Sequence, residues 1–217
     1  MGVWLFRREL RRASLPQDAV DAAFAGVFGG LLGAKLWWAV EFSGSAPFLS
    51  LLLSRGGLSW FGGFIGGLAA GLAVIRLKRL PLLATLAAAS PALAMGQAIG
   101  RVGCFLVGDD YGRPSELPWA VAFPEGLPPT TARVHPTQLY EALALVPLAA
   151  AIIGWRRHAR RDEFVLGWYL VSAGAIRFAI EFVRANERVL GPLTVAHLAS
   201  LAVVAVGALI LRPRQPT

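Results

Sequence analysis

Apolar runs of about 20 residues constrain the fold of this sequence more than any other feature, because a helix of that length crosses the hydrocarbon core of a bilayer. Six such segments are predicted as membrane spans, at about 19–42, 57–75, 81–107, 138–155, 164–184 and 192–211. Charged residues make up 16% of the chain, against about a quarter in a soluble domain. The sequence therefore predicts an all-α, polytopic membrane protein and excludes a single soluble core or a single membrane anchor.

Basic residues gather in four clusters between and beside the predicted spans. The clusters are Arg7, Arg8, Arg11 and Arg12; Arg76, Lys78 and Arg79; Arg156, Arg157, Arg160 and Arg161; and Arg212 and Arg214. Because Lys and Arg are enriched in cytoplasmic loops, both termini are predicted to be cytoplasmic. The loop at about 108–137 then lies on the outer side of one integral membrane domain covering 1–217. The net charge of +8 is thus assigned to topology, and no nucleic-acid partner is expected.

Glycines recur at helical intervals in GVFGGLLGAK (26–35) and GGLSWFGGFIGGLAAG (56–71). Small residues at this spacing allow helices in a membrane to approach closely, so we expect most of these glycines to pack helix against helix. The pairs Gly56–Gly57 and Gly62–Gly63 are denser than packing requires. They leave open a broken or re-entrant segment at that point.

Several charged residues fall inside predicted spans or at their ends, where a charge is costly and marks a candidate functional site. Lys35 and Arg184 can also reach an interface, whereas Arg101 and Arg177 are harder to explain in that way. In IRFAIEFVR (176–184), helical spacing puts Arg177, Glu181 and Arg184 on one face. Guanidinium groups bind phosphate in a bidentate manner, so these arginines predict a site for a phospholipid headgroup at the outer interface.

Three motifs, GRVGCFLVGDDYGR (100–113), PWAVAFP (118–124) and HPTQLYE (135–141), resemble the prolipoprotein diacylglyceryl transferase family. GGLSWFGG (56–63) and IRFAIEFVR also resemble that family, and the similarity covers roughly 20–210. It implies transfer of the diacylglyceryl group of phosphatidylglycerol to the lipobox cysteine thiol of a preprolipoprotein, with release of glycerol phosphate. The implied place is the outer side of a bacterial cytoplasmic membrane. Neither a cofactor nor a metal is expected.

The resemblance also implies site residues. Arg101 and Arg177 would bind the phosphate and be catalytically central, and Asp109 or His135 is the predicted proton acceptor for the substrate thiol. The expected substrate-binding residues are Gly100, Gly103, Cys104, Arg113, Gln138, Tyr140, Glu141, Glu181 and Arg184. A structural role for His135, in docking the loop, is the alternative.

The sequence departs from the family pattern at several positions. Phe61 stands where the family usually has a histidine, Cys104 where it has asparagine, and Asp109 where it has glutamate. Ala173 and Lys35 replace an expected tyrosine and arginine. Without the histidine, the identity of the thiol's proton acceptor is open. Asp109 and His135 are preferred, Asp110 and Glu141 also lie on the outer side, and the field of the arginines alone is a further way to lower the pKa of the thiol. Cys104 is interpreted as a small hydrophobe, with an enzyme-bound thiol as the alternative.

The resemblance further implies a span ahead of the basic stretch, where MGVWLF alone precedes RRELRR. We therefore expect either a start upstream of the printed one or a shortened branch of the family. The main functional hypothesis is the transferase. The alternative is a non-catalytic phospholipid-binding or transport-type membrane protein of the same fold.

Overall fold

A computed structural model describes residues 1–54, 56–158 and 161–212. Arg160 and Arg214, two members of the predicted basic clusters, lie outside the described residues. The chain forms two compact units, one of residues 6–85 and one of residues 1–5 with 86–217. The expected single domain over 1–217 stays a prediction.

Four helices belong wholly or largely to the unit of residues 6–85. They are α1 (Gly2–Arg12), α2 (Val20–Glu41), α3 (Phe48–Leu53) and α4 (Trp60–Leu77), with a short 3₁₀ turn at Gln17–Ala19 before α2. The first helix is amphipathic and ends in Arg11 and Arg12. Neither α1 nor α3 was predicted, because the apolar part of α1 is too short to be a span and α3 has only six residues inside a predicted loop.

Glycines on α2 and α4 allow the backbones of the two helices to come into contact. A Cβ placed on Gly66 would lie 3.0 Å from the Cα of Gly33, and one on Gly33 would overlap the carbonyl oxygen of Gly62. The packing interpretation of these glycines is therefore confirmed. Helix α4 is continuous from Trp60, so Gly62 and Gly63 do not break it. Gly57, in contrast, has φ +75 and lies against the Trp38 ring, which makes it a turn residue that favours glycine.

Replacing Gly66 with leucine is expected to lower the free energy of unfolding by about 2–3 kcal/mol, because the new side chain meets helix backbone that cannot move aside. The measurement is thermal unfolding in detergent. The matched control is Gly96→Leu, since a Cβ on Gly96 meets nothing within 4 Å. Equal stability of the two variants would contradict the close packing of α2 on α4.

The other unit contains the remaining long helices. They are α5 (Leu82–Val107), which begins just before the unit boundary, α6 (Thr137–His158), α7 (Asp162–Glu181) and α8 (Val195–Leu211). Two small antiparallel sheets complete it, β1 (Val121–Phe123) with β2 (Thr130–Val134) and β3 (Arg188–Leu190) with β4 (Leu193–Thr194).

The prediction of an all-α polytopic membrane protein is confirmed. Within the described residues, five helices are long and apolar enough to cross a membrane: Gln17–Glu41, Trp60–Leu77, Leu82–Val107, Thr137–His158 and Asp162–Glu181. The sixth predicted span corresponds to α8, a shorter apolar helix of 17 residues. The orientation with both termini in the cytoplasm stays a prediction.

The long loop at 108–137 carries more regular structure than its composition suggests. Strands β1 and β2 form a hairpin within it, and isolated bridges join Gly112 to Arg184 and Pro114 to Val134. The Gly112 amide donates to His135 O, and the His135 amide donates to Arg113 O. The loop is thus folded back onto the start of α6 and the end of α7.

Candidate functional site

Three arginines and three carboxylates form a closed ring at the loop side of α5, α6 and α7, and we call it the charge ring. Its members, in order around the ring, are Arg101, Asp110, Arg184, Glu181, Arg177 and Glu141. Arginine and acid alternate throughout. All six lie in the unit that contains residues 86–217.

Asp110 closes the part of the ring that faces the loop. Arg101 NH1 donates to Asp110 Oδ2 at 2.7 Å, and Arg184 NH2 donates to Asp110 Oδ1 at 2.6 Å. Both carboxylate oxygens are therefore in charge-assisted hydrogen bonds to guanidinium groups, the stronger class of hydrogen bond. The loop residue bridges an arginine near the end of α5 and an arginine that follows α7.

The other two carboxylates complete the ring inside the protein. Glu181 Oε2 lies 2.6 Å from Arg177 NH2 and 3.6 Å from Arg184 Nε. Glu141 Oε2 lies 2.9 Å from Arg101 Nε and 3.6 Å from Arg177 NH1. Each arginine thus lies between two acids, and the pairing of Arg177 with Glu181 matches the helical spacing seen in the sequence.

The ring is buried except on its loop side. Glu141 and Glu181 have side-chain exposures of 1% and 0%, whereas Asp110 is 45% exposed. Burying unpaired charges of this kind costs several kcal/mol each, so alternation of sign is what makes the group tolerable. With three cations and three anions the ring is formally neutral. An added anion must therefore either be attracted by the incompletely satisfied arginines or displace one of the acids.

Further polar residues hold the two buried acids. Gln97 donates to Glu141 Oε1 at 2.8 Å, while Asn186 Nδ2 and Thr194 Oγ1 donate to Glu181 Oε1 at 2.6 and 2.7 Å. None of these three donors was predicted from the sequence. The available signals were an amide inside a predicted span, one turn before Arg101, and a threonine at the start of the last helix, where it caps α8.

Arg113 supports the ring through the backbone. Its Nε donates to Arg184 O at 3.0 Å, and its own amide donates to Val183 O. The described contacts of Arg113 therefore hold the backbone just after α7. A role in binding the headgroup stays a prediction.

A thiol and two carboxylates lie together beside Arg101. One ligand atom each from Cys104, Asp109 and Asp110 fall within 4.8 Å of one another, and Cys104 Sγ is 4.0 Å from Arg101 NH1. These three residue types are ones that can ligate a metal, although the sequence gives no expectation of a metal. The cluster is a poor cation site, however, because Asp110 already pairs with two guanidinium groups.

Gln138 fixes the loop against this cluster. It is fully buried, and its Nε2 donates to Asp109 O. Asp109 Oδ1 and Gln138 Oε1 are both buried without a hydrogen-bond partner in the described part of the chain. A buried acceptor of this kind is unfavourable unless it accepts a hydrogen bond from a ligand or water.

His135 and Tyr140 form a separate group. His135 Nδ1 lies 3.3 Å from Tyr140 Oη, which accepts a hydrogen bond from Trp119 Nε1 at 2.7 Å. The described side-chain contacts of His135 are thus with Tyr140 and not with the charge ring. The fold thus places the predicted site residues His135 and Tyr140 in contact with each other. Asp109 instead lies beside Asp110, a member of the charge ring.

Gly100 and Gly103 are exposed on α5, and a Cβ on either meets nothing within 4 Å. No described residue packs against either position, and their expected role in substrate binding stays a prediction. Both positions leave one side of the helix beside Arg101 open.

The chain resembles known proteins over almost its whole length. The family model described as "Prolipoprotein diacylglyceryl transferase" matches residues 1–212. The chain belongs to this family. Among relatives named phosphatidylglycerol–prolipoprotein diacylglyceryl transferase, it is 36% identical to that of Idiomarina loihiensis over 82% of this chain and 66% of the relative. It is 33% identical to that of Geobacter sulfurreducens, over 91% and 78% of the two chains, and 35% identical to that of Nitratidesulfovibrio vulgaris, over 91% and 76%.

Two departures from the prolipoprotein diacylglyceryl transferase pattern lie in the unit of residues 6–85. Lys35, at an expected arginine, donates to Ser54 O and Ser54 Oγ at 2.8 Å and lies 4.7 Å from the centre of the Trp38 ring. It also donates to Gly56 O, so it fastens the loop that leads into GGLSWFGG. Phe61, at the expected histidine, is on α4 and half exposed. Lys35 thus has a structural partner in the loop.

Proposed function

We propose that this chain transfers the diacylglyceryl group of phosphatidylglycerol to the lipobox cysteine thiol of preprolipoproteins. Family membership over residues 1–212 supports a transferase of this class, and the relatives carry that activity in their names. The chain spans 66–78% of the length of the relatives described above, so the activity of the whole protein is part of the proposal. The observation that carries the proposal for this chain is the charge ring.

The reaction needs what the charge ring offers. The thiolate sulfur attacks the glyceryl carbon attached to the phosphate oxygen, a C–S bond forms, and the C–O bond breaks. The leaving glycerol phosphate takes the electron pair, so negative charge grows on the phosphate group. Guanidinium groups held in place before the reaction stabilise such charge without reorganising. In the proposed mechanism Arg101 and Arg177 supply this stabilisation.

The thiol proton requires an acceptor, because a free cysteine has a pKa near ~8.5 and the thiolate is the nucleophile. Asp109 is the better of the two predicted candidates. Its carboxylate lies by Cys104 and Asp110, next to Arg101, and one of its oxygens is buried without a described partner. His135, whose ring contacts Tyr140, remains the second candidate.

The membrane placement is part of the same proposal. The helices of spanning length make the chain a multi-pass membrane protein. We assign it to a bacterial cytoplasmic membrane with the ring and the loop at 108–137 facing outward. The basic clusters at the other ends of the helices support this orientation.

The test is a lipidation assay with purified full chain, phosphatidylglycerol and a lipobox peptide. A thioether-linked diacylglyceryl peptide and one equivalent of glycerol phosphate are expected, both detected by mass spectrometry. A peptide with serine in place of the lipobox cysteine is the control and should stay unmodified, because a hydroxyl is a far weaker nucleophile than a thiolate. A folded protein that gives no thioether product would refute the proposed activity.

A further inference from the structure

Asp110 differs from the other members of the charge ring in exposure and in backbone conformation. Its side chain is 45% exposed, whereas those of the other five members are 20% exposed or less. It lies on the loop after α5 with φ +59, in the left-handed region, between Gly108 (φ +72) and Gly112. Asp110 is therefore the ring member whose side chain can leave the ring with the least disturbance.

The two oxygens of Asp110 occupy a site built for an anion. Oδ2 accepts from Arg101 NH1 and Oδ1 from Arg184 NH2, at 2.7 and 2.6 Å. A carboxylate that bridges two guanidinium groups presents the same pair of anionic oxygens as a phosphate group does. In addition, Arg184 NH1 is buried without a hydrogen-bond partner in the described chain. A phosphate has a further oxygen that a carboxylate lacks.

We propose that the phosphate group of the donor lipid takes the place of the Asp110 carboxylate between Arg101 and Arg184, so that Asp110 is an internal competitor for the donor. This inference rests on the proposed function for its ligand. Because the loop residue leaves when the phosphate enters, one negative charge replaces another. The three arginines then face Glu141, Glu181 and a phosphodiester of charge −1, and the ring remains neutral.

Glu141 and Glu181 are unsuited to this exchange. Both are completely buried, and each is also held through its Oε1, by Gln97 in one case and by Asn186 and Thr194 in the other. Moving either would take an acceptor from these donors and a partner from two arginines, and each buried group left unpaired costs about 1–3 kcal/mol. Asp110, in contrast, accepts hydrogen bonds from Arg101 and Arg184, and an incoming phosphate would accept those same hydrogen bonds in its place.

Protonation does not release Asp110 near neutral pH. Its partial burial favours the neutral acid, but the charge of Arg184 and the hydrogen bonds from Arg184 and Arg101 outweigh burial and hold the pKa of Asp110 below its ordinary value. The group therefore stays ionised. An anion that enters the site must compete with it directly.

The ligand chemistry is a phosphate ester of glycerol, which reaches the site either as the lipid headgroup or as free glycerol phosphate. Two measurements on the full chain in detergent separate these sources. Calorimetry gives the Kd for glycerol 1-phosphate, and the transfer assay gives KM and kcat for phosphatidylglycerol in mixed micelles. Asp110→Asn removes the charge and keeps the shape, and asparagine tolerates a positive φ. Glu125→Gln, at an exposed position of the same loop, is the matched charge control.

In Asp110→Asn we expect both the Kd for glycerol 1-phosphate and the KM for phosphatidylglycerol to fall by about tenfold, as removal of a competing ligand worth about 1.4 kcal/mol would give. The kcat should change much less than KM. Glu125→Gln should match the wild type in all three quantities. Asp110→Gly, which also accepts φ +59 and lacks a carboxylate, should give the same gains and covers the case in which the asparagine variant folds poorly.

The inference would be overturned by an unchanged or higher Kd in the folded variants, by an equal fall in Glu125→Gln, or by a loss of kcat with KM unchanged. The last of these would identify Asp110 as the proton acceptor. A fall in the Kd for glycerol 1-phosphate without a fall in KM would refute displacement by the lipid. If wild type and variants all fail to transfer lipid, yet Asp110→Asn binds glycerol 1-phosphate more tightly, the displacement of Asp110 is supported and the proposed function fails.

Discussion

Replacing Arg101 with alanine is expected to lower the rate of diacylglyceryl transfer by about a thousandfold, the upper range for removal of one preorganised charge-stabilising donor. Arg101 joins the exposed and the buried parts of the charge ring, since it pairs with Asp110 through NH1 and with Glu141 through Nε. Its loss removes the guanidinium group that both the proposed mechanism and the displacement of Asp110 place at the donor phosphate. The loss should appear in kcat as well as in kcat/KM, because the charge on the phosphate grows in the transition state.

Two control variants separate this effect from misfolding and from net charge. Arg101→Lys keeps the charge but not the planar fork, so it should retain more activity than alanine and less than arginine. Arg188→Ala removes an exposed arginine of β3 and should transfer lipid at the wild-type rate. Thermal unfolding of each variant in detergent reports whether the fold persists. Near-normal transfer by a folded Arg101→Ala variant would remove Arg101 from the proposed mechanism.

The helices and the in-span charges were predictable from the sequence because each depends on local pattern. Apolar length identified the spans, and the spacing of Arg177 and Glu181 predicted their pair within one helix, which the structure confirms at 2.6 Å. The glycine pattern likewise predicted close helix packing. The functional class was predicted from the family resemblance, because residue spacing alone does not specify a reaction.

The closure of the ring was not predictable, because it depends on contacts between distant segments. Arg184 was placed in a helix extending to 184, but α7 ends at Glu181, and the side chain of Arg184 reaches a loop residue 74 positions earlier. Asp110 meets it only because the chain takes a left-handed conformation after α5. Gln97, Asn186 and Thr194 each bond an acid on another segment or beyond a turn, and no local pattern specifies such a partner.

Glu141→Gln is expected to lower the free energy of unfolding by about 3 kcal/mol, because it removes a buried charge shared by two partly buried arginines. The glutamate is 1% exposed, so water cannot replace the lost partner of Arg101 and Arg177. The glutamine can still accept from Gln97 through its carbonyl oxygen, which separates the effect of charge from the effect of shape. Unfolding in detergent, followed against temperature or denaturant, gives the measurement.

The same substitution should also reduce transfer, since Glu141 anchors both Arg101 and Arg177. If the ring acts by holding both guanidinium groups in place, Glu141→Gln lowers kcat more than it weakens binding of glycerol 1-phosphate, because two less paired arginines still attract an anion. Glu125→Gln serves again as the control for a lost carboxylate at an exposed site. A Glu141→Gln protein with wild-type stability and wild-type kcat would show that the pairing of Arg101 and Arg177 through this carboxylate does not organise the site.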